Sequence, residues 1–119
     1  MKEEILTLEK NLFKLEYISN KEWLEKTIDD KFIECGKSGY LFHKKDTIES
    51  LLECTEDRPI TIYNYEYQQI DEKTYLIHYI TKSQDKIYYR TSIWTMDSNL
   101  KLLYHQATEF KENLTLIEY

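Results

Sequence analysis

Glu34, Arg90, Ser92 and Trp94 are the residues whose types and spacing point to chemistry on a shared surface. Residues two apart in a strand project to one face, so Arg90, Ser92 and Trp94 share a side. The following strand starts after the turn Asp97-Ser98-Asn99. Regular antiparallel pairing across that turn sets Gln106 near Arg90, Tyr104 near Ser92 and Leu102 near Trp94. A guanidinium, a hydroxyl, an amide and aromatic rings converging in this way make a mostly apolar pocket with a few polar anchors, which is how small-molecule sites are built. His105 falls on the opposite face from Gln106 in a regular strand, and a β-bulge would turn it inward. The ligand-binding candidates are therefore Arg90, Ser92, Trp94, Tyr104, His105 and Gln106.

Glu34 is the candidate acid or base. It sits at a strand end beside Gly36-Lys37-Ser38-Gly39, with Phe32 and Ile33 as apolar neighbours. Burial would raise its pKa, and Arg90 nearby would lower it. Two readings without chemistry stand beside this one. Glu34 orders the glycine turn, or it pairs with Arg90, stiffening the sheet and filling the space a ligand would need. No metal site is expected, since His43, His78 and His105 are far apart and no Cys-x-x-Cys or His-x-x-x-His occurs. Neither Cys35 nor Cys54 has a histidine close in sequence to activate it. The glycine turn lacks the spacing of a phosphate loop, and no cofactor is expected.

The elements that must position these residues follow from periodicity. Ile5, Leu8, Leu12 and Leu15 recur at helical spacing, predicting an amphipathic helix over 3–18. Ser19-Asn20-Lys21-Glu22 has capping-box spacing and opens a second helix that turns Trp23, Leu24 and Ile28 inward. Short strands are expected at 31–35 and 40–42, and a third helix over 44–54. Beyond Pro59, stretches rich in β-branched and aromatic residues predict strands near 60–70, 74–82, 86–96 and 100–110. The short polar turns between them force antiparallel neighbours. The class is α+β, with three N-terminal helices packed on a curved antiparallel sheet in one domain over 1–119. The tail 113–119 reads either as a frayed end or as an added edge strand. Tyrosines crowd the sheet, among them Tyr63, Tyr89 and Tyr104, and make a self-associating sheet face, hence a homodimer, an expectation.

Several strings in this order resemble the nuclear transport factor 2-like superfamily, near the SnoaL-like cyclases and domain of unknown function 4440. They are Asp30-Lys31-Phe32-Ile33-Glu34-Cys35-Gly36-Lys37-Ser38-Gly39, Arg90-Thr91-Ser92-Ile93-Trp94 and His105-Gln106-Ala107-Thr108. Ala107 stands where that family often has glycine, and Leu100 where it often has tryptophan. The resemblance implies a cone-shaped fold, frequent dimers and a cavity at the wide end. It implies no single activity, because the superfamily holds isomerases, cyclases, dehydratases and binding adaptors. Its steroid-isomerase branch bears an aspartate as base where this chain has Cys35, so that chemistry is not expected unless Glu34 takes over. Three functions remain in view. The chain binds a small apolar or carboxylate-bearing molecule, or it is an enzyme with Glu34 as acid-base, or it is a dimeric interaction module.

The 119 residues carry a formal net charge of −6, with 41% hydrophobic and 32% charged residues. One core can be filled. The acidic balance and scattered lysines disfavour nucleic acid and anionic membranes as partners. No apolar run approaches the roughly 20 residues of a membrane span, and the polar start lacks a secretory pattern. A cytoplasmic protein with reduced thiols is expected.

Overall fold

The computed structural model describes Met1–Tyr119. The helix expected over 3–18 is two pieces, α1 (Lys2–Asn11) and α2 (Leu15–Ile18). Lys14 between them is extended, with φ −106° and ψ 127°. The break drops Phe13 into the core at 8% exposure. Asp57 Oδ1, from a distant loop, then accepts the Leu15 N–H at 2.7 Å and satisfies the start of α2. The next helix, α3 (Lys21–Thr27), is capped by Asn20, whose side chain accepts the Trp23 N–H at 3.1 Å. Ser19 is thus not the cap. Its hydroxyl instead donates back to the Leu15 carbonyl at 2.6 Å.

After α3 come β1 (Ile28–Cys35), β2 (Leu41–His43) and α4 (Lys44–Leu52), and then β3 (Ile62–Asp71), β4 (Thr74–Ser83), β5 (Lys86–Met96) and β6 (Leu100–Glu109). The sheet order is β2-β1-β6-β5-β4-β3. The last four strands form the expected antiparallel meander. The sheet as a whole is not antiparallel, because β1 lies parallel to β6. The chain reaches β6 only after the whole meander, so β1 and β6 meet as the two sides of one closing layer. Gly39, with φ 82°, turns the chain between β1 and β2.

The helices cover one face of this α+β sheet. Trp94, Tyr79, Tyr65, Phe32, Ile5 and Leu24 pack there as a fully buried core. The tail is neither frayed nor a full strand. Asn64, in the left-handed region at φ 53°, receives it with its side chain: Nδ2 donates to the Thr115 carbonyl at 3.1 Å, and Oδ1 accepts the Ile117 N–H at 2.7 Å. Backbone bonds from Asn64 to Ile117 and from Tyr119 to Ile62 complete the covering of the β3 edge. No helix is long and apolar enough to cross a membrane.

One irregularity decides which side chains reach the interior. Trp94 pairs with Leu102, yet Ile93 pairs with Tyr104, so Leu103 is an extra residue in β6. That bulge reverses the facing of everything beyond it.

Candidate functional site

Between α1, α4 and the sheet lies a cavity of about 50 Å³. Its polar lining is Glu9, Glu34, Thr47, Arg58, Arg90 and His105, set among Leu12, Phe13, Ile28, Phe32, Leu51 and Leu102. A groove of about 190 Å³ continues outward, sharing Glu34, Thr47, Leu51 and Arg58 with the inner space and adding Phe42, Ser50 and Cys54. The inner chamber holds only a few atoms. The groove gives room for the remainder of a longer molecule.

The bulge at Leu103 builds the chamber wall. It places His105 beside Ser92 on β5 and beside Glu34 on β1, in one row across the sheet. His105 Nδ1 lies 2.7 Å from Ser92 Oγ, and its Nε2 lies 3.4 Å from Arg90 Nη1. A guanidinium only donates, so Nε2 must accept and Nδ1 must carry the proton. The Ser92 oxygen then accepts from the imidazole, and its own proton is free to point at Glu9, which it helps to stabilise. Burial, with the charges of Arg90 and Arg58, pushes the His105 pKa down to about 3. His105 is therefore a neutral relay in a fixed tautomer.

Arg90 is held by Thr81, whose Oγ1 accepts from Nε at 2.8 Å, and its guanidinium stacks 5.5 Å from the Phe13 ring centre. Arg58 donates to the Leu12 carbonyl at 3.2 Å, and its guanidinium lies 4.6 Å from the centre of the same ring. Two guanidiniums thus share one aromatic ring at the cavity. Burial pushes the Arg58 pKa down, and Arg90 adds to this.

Glu34 lines both chamber and groove. Desolvation raises its pKa, opposed by the charges of Arg58 and Arg90. No guanidinium nitrogen lies within 4.0 Å of it, so of the alternatives the Arg90–Glu34 ion pair does not form and does not plug the space. Its Oε2 folds back over Gly36, where a Cβ would come within 3.2 Å. A side chain at 36 would press on this carboxylate and push it aside by a few tenths of an ångström.

Of the sequence-derived set, Arg90, His105 and Glu34 line the cavity. Ser92 and Trp94 are fully buried behind them, Ser92 bonded to His105 and Trp94 to Glu9. Tyr104 and Gln106 are corrected. The bulge turns both to the outer face, where Tyr104 Oη donates to Gln106 Oε1. Gln106 pairs with Thr91 and not with Arg90, which faces Ala107.

Glu9, Arg58 and Thr47 were not in that set. Glu9 is 1% exposed, and its carboxylate accepts from Tyr79 Oη at 2.5 Å and from Trp94 Nε1 at 2.8 Å. Desolvation raises its pKa, and those hydrogen bonds oppose the rise. A signal for it was present: Glu9 lies four residues after Ile5 and three before Leu12, on the apolar stripe of α1. Arg58 sits in a loop and carried no such periodic signal. Thr47 Oγ1 is a buried polar atom without a hydrogen-bond partner.

No protein-family model matches the chain, and no curated protein matches it. Solved structures do. A nuclear transport factor 2-like protein from Cytophaga hutchinsonii superposes with a TM-score of 0.72 at 21% identity, over 92% of this chain and 98% of that one. A protein of unknown function from the DUF3225 family of Pectobacterium atrosepticum gives 0.73 at 12% identity, over 90% and 85%. The CamKII hub homology domain of Chlamydamonas reinhardtii gives 0.68 at 12% identity, over 90% and 96%. The likeness is one of architecture, carried by about nine-tenths of the chain: this protein has the nuclear transport factor 2-like fold.

Proposed function

We propose that the chain binds a small carboxylate-bearing molecule, its acid group resting on Arg90 and Arg58 in the inner chamber and its body in the outer groove. The observation that carries this is the pair of guanidiniums on one cavity with no carboxylate within 4.0 Å of either. Arginine presents donors in a planar fork that matches a carboxylate. Phe13, Phe32, Leu51 and Leu102 supply apolar walls. Calorimetric titration with acetate, propionate and butyrate tests the reading. Binding that weakens at least about tenfold in Arg90→Gln supports it, as expected for loss of a charge-assisted contact. Equal affinity in the folded variant, or no binding to the native chain, refutes it.

A second reading gives Glu34 an acid-base role. Its support is a carboxyl with raised pKa and no hydrogen-bonded partner, facing the same cavity. It requires Glu34→Gln to abolish turnover of a bound acid while folding persists. The outer sheet face, with Leu76, Ile93 and Tyr104 half-buried in one row, supports self-association as a homodimer. The likeness to a domain named for a hub points the same way. Sedimentation at several concentrations tests it.

A further inference from the structure

We propose that the ligand is a small zwitterionic amino acid, its ammonium group taken by the Glu34 carboxylate and the Thr47 hydroxyl while its carboxylate rests on Arg58 and Arg90; this rests on the carboxylate reading above. Thr47 is 7% exposed, and its Oγ1 has no partner in the protein. It lines both the inner chamber and the outer groove, at their junction. A buried hydroxyl left unpaired is costly, so the site is incomplete without a polar group beside it. Glu34 lines the same junction and likewise has no hydrogen-bonded partner.

Charge balance separates an amino acid from a plain acid. Two guanidiniums and the carboxyls of Glu9 and Glu34 face the chamber, and His105 stays neutral. With both carboxyls ionised, the lining is balanced. A plain carboxylate would leave one negative charge in a desolvated space, which is costly. A zwitterion leaves the balance unchanged. The gap also fits. Glu34 is beyond 4.0 Å from either guanidinium, yet near enough to feel both charges. A molecule carrying opposite charges a few atoms apart bridges such poles. The carboxylate end needs the narrow chamber, and the groove accepts the remaining carbons.

The test is calorimetric titration of the whole chain with glycine, β-alanine and γ-aminobutyrate, each against acetate, propionate and butyrate. We expect one amino acid to bind about tenfold or more tightly than the acid of equal length, the strength of one charge-assisted contact. Glu34→Gln and Thr47→Val should each shrink that preference, and Glu34→Gln, which removes one negative charge from the lining, should tighten the acids. Thermal melts establish that the variants fold, and if one does not, the comparison in the native chain decides. Acids binding as tightly as amino acids would overturn the ammonium pole and leave the carboxylate reading standing. A preference that survives Glu34→Gln in a folded variant also overturns it. Binding of neither class removes both readings.

Discussion

The Glu9 carboxylate meets the indole nitrogen of Trp94 at 2.8 Å, across 85 positions of sequence. With the Tyr79 hydroxyl on its other oxygen, it pins the first helix to the middle of the sheet. Both donors are fully buried. Glu9→Leu strands them without an acceptor and should cost about 2–4 kcal/mol. Glu9→Gln keeps one acceptor and should cost less. Urea unfolding midpoints compare the two. A leucine variant as stable as the native chain would mean that the contact does not hold the layers.

His105 sets an acid limit on stability. Its pKa falls from 6.5 in the unfolded chain to about 3 in the native one. The unfolded chain therefore takes up a proton that the native chain refuses. The contribution is complete above pH 6.5 and is lost as pH falls toward 3, up to roughly 5 kcal/mol. Glu9 and Glu34 have raised pKa values, so their contributions run the other way: present below 4.5 and lost as pH rises. Comparing the native chain with His105→Asn cancels that common part. The native chain should lose stability more steeply between pH 6.5 and 4.5. Parallel slopes would contradict the neutral, buried imidazole.

Gln106 belongs to the outer face, so Gln106→Ala should leave carboxylate affinity unchanged. The same calorimetric titration checks this. A loss comparable to that of Arg90→Gln would put the amide back in the cavity and contradict the bulge.

Asn64 ties down the tail with both ends of its amide. Asn64→Gly keeps the left-handed backbone and removes the tie, which isolates the side chain's share. We expect a loss of about 1–2 kcal/mol, faster hydrogen exchange at the Asn64 and Tyr119 amides, and more self-association through the bared β3 edge. Unchanged exchange would show that the backbone bonds suffice.

Much of the architecture was legible in the residues. The meander was readable because its turns are short and its strands alternate. Lys86–Met96 is bounded as expected. The parallel placement of β1 beside β6 was not legible, because no local pattern records a contact between strands so distant in sequence. The helix break at Lys14 was hidden because Leu12 and Leu15 keep helical spacing across it, while the residue that completes the new start, Asp57, lies far away. In the site, Arg90 and Glu34 were found from type and position. Whether the two pair was left open by the sequence, because the partners that hold the guanidinium, Thr81 and His105, lie on other strands. Tyr104 and Gln106 were misplaced for one reason, the extra residue Leu103, which carries no glycine or proline to mark it.

That extra residue makes the interior of this cone a matter of phase. Were Leu103 to enter the ladder opposite Ile93, the same sequence beyond it would present a phenol and an amide inward, in place of an imidazole and a methyl. One scaffold thus stores two chemically different linings, separated by a one-residue slip of pairing and not by a redesigned core.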